Sequence, residues 1–208
     1  MRTLSAIAFF TAFITAGGCG NAPFSSPHAT IKTAKTAIEQ HDYRTFANCL
    51  SPKARDDLAA ALVTMGRFVG LGSDPSAADA EKARQRATQV AAVCKKHGVE
   101  EVAPKFDFSA LRLAFDAEAQ KKEWAKRLAP VKDRIAFIAD FLEALRQTSD
   151  TADGDVLGAD ATVRDLTTNG DTASATFEQT RRGAKQSSRI TLRKIDGEWK
   201  IDQLPRLM

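Results

Sequence analysis

The spacing of hydrophobic residues changes once along this chain of 208 residues, and that change limits the fold more than any other feature. Between residues 28 and 147, apolar residues such as Ile31, Ala34 and Ile38 recur at the spacing of a helix with one buried face. From Ala161 they alternate with polar residues, which is typical of strands with one buried face. Such a sheet needs a cover, and only the preceding helices can supply it. The sequence therefore predicts an α+β fold in which N-terminal helices pack on a C-terminal four-stranded antiparallel meander.

Three short turn sequences divide the C-terminal part into four strands. Asn169-Gly170 is the strongest of these hairpin signals, and Arg182-Gly183 and Asp196-Gly197 follow it. Alternate side chains of a strand face the same side, so the large apolar residues of the last three strands are expected to share one face and to line a pocket if the fold leaves one open. These residues are Phe177, Ile190, Leu192, Trp199 and Ile201.

Capping residues indicate where the helices begin. Asp42 is a favourable N-cap for a short helix, and Ser51-Pro52 combines a capping hydroxyl with a proline at the first helical position. Further helices are predicted over residues 76–96, 109–129 and 130–147. The last of these has the most regular apolar stripe, so it is expected to pack centrally.

The first residues have the order of an export signal, with a positive end, an apolar stretch and small residues before Cys19. Ala16-Gly17-Gly18-Cys19 resembles a bacterial lipobox, in which the cysteine receives a diacylglyceryl group and the leader is cut just before it. The resemblance implies that residues 1–18 are a signal peptide and that Cys19 is the lipidated first residue of the mature protein. The alternative is a secretory signal cut after Ala22, which would leave no lipid anchor.

Residues 19–27 are expected to form a flexible tether, because this segment combines Gly, Pro and Ser. The folded part then forms one domain over residues 28–208. Acyl chains such as palmitate each contribute about 0.8 kcal/mol per buried CH₂, so more than one chain holds a protein durably on a membrane. The predicted location is the bacterial cell envelope, with the protein attached to a membrane through its N-terminal lipid and facing the periplasm or the exterior.

Cys49 and Cys94 remain if Cys19 carries lipid. A disulfide between them would suit an exported protein, and two unbridged buried thiols explain the sequence equally well, because cysteine behaves as a small hydrophobe. The three histidines are scattered and are predicted to be exposed loop or capping residues. Neither a metal site nor a catalytic triad is therefore predicted, and no cofactor is implied.

Acidic and basic residues are mixed along the chain, with 30 Lys and Arg against 26 Asp and Glu, so nucleic acid is not expected as a partner. One stretch of the strand region has only cations among its charged residues. It is interpreted as a solvated hairpin, and the alternative is contact with an anionic envelope polymer or lipid headgroups. Its cations are Arg181, Arg182, Lys185, Arg189, Arg193 and Lys194.

Two parts of the chain resemble the nuclear transport factor 2-like fold, in particular bacterial lipoproteins built on it. The first is His41-Asp42-Tyr43 followed by Cys49-Leu50-Ser51-Pro52-Lys53-Ala54-Arg55, and the second is Asp196-Gly197-Glu198-Trp199-Lys200-Ile201-Asp202. The match covers residues 28–69 and 155–204. The resemblance implies a bent sheet that wraps a helix as a cone, whose interior is a catalytic pocket in some members and a plain core in others.

The resemblance leaves residues 70–150 as a helical insertion and does not fix an activity. Similar isomerases use an acidic base with a tyrosine or protonated acid inside the cone, but here Tyr43 is the only tyrosine and the inward strand positions are apolar. No catalytic residue is therefore predicted, and the first hypothesis is a non-catalytic module that binds a small apolar ligand, a peptide or another envelope protein. The alternatives are an isomerase or dehydratase with Glu178 or Asp202 turned inward by a bulge, and a structural spacer used in assembly.

Overall fold

Helices precede a single antiparallel sheet in this protein. A computed structural model describes residues 22–68, 77–99, 125–126, 128–147, 161–181 and 184–204. Within them lie α1 (Pro27–Glu39), α2 (Tyr43–Asn48), α3 (Pro52–Phe68), α4 (Ala77–Lys96), α5 (Arg134–Gln147), β1 (Thr162–Asn169), β2 (Thr172–Arg181), β3 (Ala184–Ile195) and β4 (Glu198–Gln203). The strand order in the sheet is β1-β2-β3-β4. The α+β class, with helices before a four-stranded antiparallel meander, is confirmed.

Two of the predicted turns lie within the described residues. Asp196 and Gly197 both have positive φ, of 52° and 86°, which is the backbone of a type I′ hairpin turn. The turn between β1 and β2 is centred on Gly170 and Asp171, because Asn169 already pairs with Thr172. The predicted turn at Asn169-Gly170 is thus one residue too early. Gly170, with φ of 57°, occupies the first central position.

A β-bulge in β1 changes which residues face the helices. The pairing with β2 shifts between Arg164 and Thr167, and Asp165 adopts a positive φ of 54° at this point. Without a bulge, Val163 and Leu166 would face opposite sides, since they are separated by an odd number of positions. With it, both pack against the same buried cluster of the sheet.

α5 is the central helix of the core. It packs against α2, α3 and α4, and its Phe137, Ile138 and Phe141 have no exposed surface. The helix begins at Arg134 and not at Pro130, because the Asp133 carboxylate accepts a hydrogen bond from the Ala136 N–H at 2.9 Å and caps it there.

The segment predicted as a helical insertion, residues 70–150, contains both α4 and α5. Because α5 supplies fully buried side chains, part of this segment belongs to the central core. The predicted helix over residues 109–129 lies almost entirely outside the described residues. None of the helices in the described ranges combines the length and hydrophobicity needed to cross a bilayer.

N-terminal segments cover the outer edge of β4. The Trp199 N–H donates to the Phe24 carbonyl at 2.9 Å, and the Ile201 N–H donates to the Cys49 carbonyl at 2.8 Å. The Ile201 carbonyl accepts from the Ser51 N–H at 2.8 Å, and the Trp199 carbonyl accepts from the Thr30 hydroxyl at 2.9 Å. The last strand is therefore hydrogen-bonded on both sides.

The fold begins earlier than the predicted boundary at residue 28. Ser26 caps α1 by accepting from the Ala29 N–H, and Pro27 is the first helical residue. Phe24 packs against the main core cluster. Residues 22–27 therefore belong to the folded part, and the predicted tether of residues 19–27 is wrong at its C-terminal end. Residues 1–21, including Cys19, lie outside the described residues.

Candidate functional site

The β2–β3 hairpin extends beyond both of its neighbouring strands. Pairing of β1 with β2 ends at Glu178, and pairing of β4 with β3 ends at Thr191. The part beyond these positions, residues 179–181 and 184–190, is called the hairpin overhang. Among the described residues, its two strands pair only with each other.

One edge of the hairpin overhang carries backbone groups without strand partners. The Lys194 N–H donates to the Asp171 carbonyl, on the β2 side of β3. Backbone groups alternate in direction along a strand, and the register of β3 with β2 has no interruption. The N–H and C=O groups of Lys185, Ser187 and Arg189 therefore point away from β2. All three residues are exposed.

An open cavity of about 520 Å³ lies beside this edge. On the helix-facing side of the sheet its lining includes Gln179, two residues beyond Phe177 on β2, and Ser188, two residues from Ile190 on β3. Among the described residues, six of the seven that line it have side chains ending in an amide, a hydroxyl or a cation, and one side chain is apolar. The residues are Gln179, Gln186, Ser187, Ser188, Arg189, Gln203 and Leu204.

Gln179 is the buried polar residue of this cavity. It is 9% exposed, and its Nε2 donates to Gln186 Oε1 over a long distance of 3.5 Å. Its Oε1 has no hydrogen-bond partner among the described residues. A buried acceptor without a partner costs about 1–3 kcal/mol, and a group of this kind in a folded protein calls for an explanation. A ligand that donates a hydrogen bond here would supply one.

Arg189 connects this cavity to the solvent face of the sheet. Its Nη2 donates to the Ser174 hydroxyl at 3.0 Å, and with Ser174 and Ser187 it lines a second depression of about 380 Å³ on that face. Neither Arg189 nor Lys185 forms an ion pair with any described residue. Both are therefore available to an anionic group of a partner.

The five residues predicted to line a pocket are all buried on one face of the sheet, between 1% and 6% exposed. Leu192, Trp199 and Ile201 belong to the main core cluster with the helices, and Phe177 and Ile190 belong to a second cluster. Side chains fill this part of the sheet, and the open cavity lies at its polar end. Sequence reasoning missed Gln179 and Gln186, although the alternation that placed Phe177 inward also places Gln179 inward.

The two cysteines of the folded part are not bridged. Cys49 has no exposed surface, and its thiol donates to the Thr45 carbonyl at 3.3 Å. Burial raises the pKa of the Cys49 thiol to about 12. Cys94 is half-buried on α4. The structure therefore agrees with the interpretation that Cys49 and Cys94 are unbridged thiols.

A second cluster of polar side chains joins α4 to α5. Asp140 Oδ2 accepts hydrogen bonds from Lys96 Nζ and His97 Nε2, both at 2.7 Å. The His97 side chain is only 11% exposed and lies edge-on to the Phe137 ring, so the prediction that it is an exposed loop residue is wrong. The cluster ties the end of α4 to α5, and we interpret it as structural.

We expect Asp140→Asn to lower the free energy of unfolding by about 1 kcal/mol at pH 7. Burial raises the pKa of Asp140, but the hydrogen bonds from Lys96 and His97 outweigh it and hold this pKa below its ordinary value. A carboxylate with a lowered pKa stabilises the fold above its unfolded-state pKa of 3.8 and loses this effect as the pH falls through its folded-state value.

Urea unfolding of the wild type and the Asp140→Asn variant at pH 7 and pH 3 measures this effect. The difference between the two proteins should shrink at the lower pH. Lys96→Ala serves as a control that removes the exposed partner alone, and it should cost less. An equal difference at both pH values would contradict an electrostatic role for Asp140.

Comparison of the chain with protein-family models, with curated proteins and with solved structures finds no match in any of the three.

Proposed function

We propose that this chain is an exported protein of a bacterial envelope, anchored to a membrane by lipid on Cys19, and that it binds other molecules without catalysing a reaction. The proposed binding site is the hairpin overhang. One observation carries the proposal, which is that the buried Gln179 Oε1, at the wall of an open cavity, has no partner in the part of the chain that the structure describes. The leader sequence before Cys19 supports the location.

The lining of the cavity favours binding over catalysis. Among the described residues that line it, Arg189 is the only ionisable one. Proton transfer needs a carboxylate, imidazole or amine within hydrogen-bond reach of the substrate, whereas amides and hydroxyls are the groups that orient a bound molecule. Because Leu204 is the only apolar residue in the described lining of the cavity, an envelope protein suits the site better than a small apolar ligand does.

The nuclear transport factor 2-like cone is part of this proposal. Helices cover one face of a four-stranded antiparallel sheet, and the apolar inward face continues into a polar end. In a cone, that end would be the mouth. The support is the sequence resemblance of residues 28–69 and 155–204 together with this arrangement of layers.

The described residues give the isomerase alternative no support. Glu178 pairs with Arg164 at 3.3 Å, and its side chain is 40% exposed. Asp202 pairs with Arg193 at 3.4 Å. Neither carboxylate is among the residues that line the cavity beside Gln179. The spacer alternative requires a large exposed apolar patch on the helical segment of residues 70–150, part of which lies outside the described residues.

We expect Cys19→Ala to abolish palmitate labelling of the protein and to move it from the membrane fraction to the soluble fraction, because the acyl chains are the proposed anchor. The experiment uses the full chain expressed in a bacterium with metabolic palmitate labelling and cell fractionation. Cys94→Ala is the matched control, and it should remain labelled and membrane-bound. An unlabelled wild-type protein with an intact leader in the cytosol would refute the proposed anchor and location.

A further inference from the structure

We propose that the edge of β3 from Lys185 to Arg189 binds an extended, acidic segment of a partner protein, which adds to the sheet as a further strand in line with β4. This inference rests on the proposed function as a binding module and specifies the chemistry of its partner. It combines three independent features of the hairpin overhang: its backbone groups, its charge and its buried amide.

The backbone of this edge is suited to strand addition. The N–H and C=O groups of Lys185, Ser187 and Arg189 point away from β2 and have no strand beside them among the described residues. β4 runs along the same edge as far as Gln203, so an added strand would continue its line. Main-chain hydrogen bonds to an exposed edge are a common way to bind extended peptides.

The positive charges of Lys185 and Arg189 favour an acidic partner segment. The side chains of Lys185 and Arg189 share the solvent face of the sheet, since they are separated by an even number of positions. Neither has a carboxylate partner among the described residues. Side chains directly opposite each other on neighbouring strands stabilise the pair when their charges differ. The solvent-facing positions of the added strand are therefore acidic.

The same charges argue against a second copy of this chain as the occupant. Antiparallel pairing of two β3 edges about Ser187 would place Lys185 of one copy opposite Arg189 of the other. Parallel pairing in register would place identical cations side by side. Like charges at directly opposed positions are destabilising, and cations on an edge strand are a known protection against self-association.

On the helix-facing side of the sheet, Gln179 lies two strands away from the added strand. The Oε1 atom of Gln179 lacks a hydrogen-bond donor among the described residues. β3, which carries Gln186, lies between β2 and the added strand. Two strand spacings amount to about 10 Å, so only a long side chain with a donor can approach it. A glutamine side chain is long and carries N–H donors. Because it is uncharged, the segment keeps the net negative charge of its acidic residues. The inferred segment thus alternates acidic residues with long amides.

The test measures binding of a short fluorescent peptide that alternates Glu and Gln to the full chain, by fluorescence anisotropy. A peptide that alternates Lys and Gln is the matched control. We expect the acidic peptide alone to bind.

Ser187→Pro probes the backbone directly. It removes an N–H that faces the open edge and leaves the hydrogen bonds between β2 and β3 in place, since proline is tolerated where the N–H side of an edge strand faces solvent. This variant should lose measurable binding, and Ser187→Ala, which keeps the backbone N–H, should bind much more tightly than Ser187→Pro does. Circular dichroism melting of both variants shows whether the sheet is retained.

Two further variants keep the inference testable if Ser187→Pro does not fold. Lys185→Glu combined with Arg189→Glu should weaken binding of the acidic peptide by roughly tenfold or more and allow the basic peptide to bind. Gln179→Met keeps the side-chain length and removes the acceptor, so it should weaken binding by about tenfold without lowering the melting temperature.

Three results would overturn the inference. The first is a folded wild type that binds neither peptide. Palmitate labelling of Cys19 would be unaffected by this result, so it can be distinguished from a failure of the proposed anchor. The second is binding of vesicles rich in phosphatidylglycerol with the same dependence on Lys185 and Arg189, which would assign the edge to an anionic lipid surface. The third is peptide binding only after Asp150, Asp153 and Asp155 are changed to Asn, which would assign the edge to the chain itself.

Discussion

The Phe137→Ala variant is expected to lose about 3–5 kcal/mol of its free energy of unfolding, the range typical of a buried aromatic side chain replaced by alanine. Phe137 has no exposed surface. Its ring lies edge-on to His97 with centroids 5.4 Å apart and to Phe141 with centroids 5.7 Å apart. Because α5 packs against α2, α3 and α4, the cavity left behind would touch several elements that cannot all close on it.

Urea unfolding at pH 7 measures this loss, with Phe24→Ala as the matched control. Phe24 is half-buried and packs at the margin of the core under Lys200 Nζ, which lies 3.7 Å from its ring centroid. The same substitution should cost less there, by about 2 kcal/mol or more. Equal losses at the two positions would mean that α5 is not the centre of the core.

The second large effect is a loss of stability at alkaline pH that depends on Cys49. Burial raises the pKa of its thiol from 9.0 to about 12. A group whose pKa is raised on folding stabilises the protein fully below its unfolded-state pKa and loses this effect as the pH rises toward its folded-state pKa. The window is therefore pH 9 to 12. At pH 10.5 the loss should be about 2 kcal/mol.

Cys49→Ala isolates this contribution from the other groups that titrate in the same range. Urea unfolding at pH 7.5 and pH 10.5 measures how far the free energy of unfolding of each protein falls between the two pH values. The fall should be larger for the wild type than for Cys49→Ala by about 2 kcal/mol. Cys94→Ala should behave as the wild type does, because its thiol is half-buried. Parallel falls for all three proteins would show that the Cys49 thiol ionises without opening the core.

The local features of the fold were predictable because they depend on neighbouring residues. Asp42 and Ser51 cap α2 and α3 as expected, since their side chains accept from the Thr45 and Ala54 N–H groups a few positions away. Asp196-Gly197 turns the chain as expected because both central residues of a type I′ turn need positive φ.

Features set by distant contacts were missed. A single apolar stripe does not account for the burial of Phe137 and Phe141, because α5 packs against several helices and its buried face is wider than one stripe. His97 was expected at the surface, but Asp140 and Phe137 enclose it from another helix.

The candidate site was predictable only in its orientation. Alternation along β2 places Gln179 on the helix-facing side, but the sequence does not show that β1 and β4 end before it. The overhang follows from the relative lengths and registers of four strands. Those depend on how the helices cover the sheet, which no local pattern encodes.

The contacts at the outer edge of β4 have a consequence for the order in which this protein matures. The Thr30 hydroxyl and the carbonyl it meets on Trp199 are 169 positions apart. Ribosomes release the amino end first, so the N-terminal helices stay incompletely buried until β4 has been synthesised. Long-range pairings of this kind slow folding. During that delay the apolar faces of these helices are exposed and accessible to a chaperone.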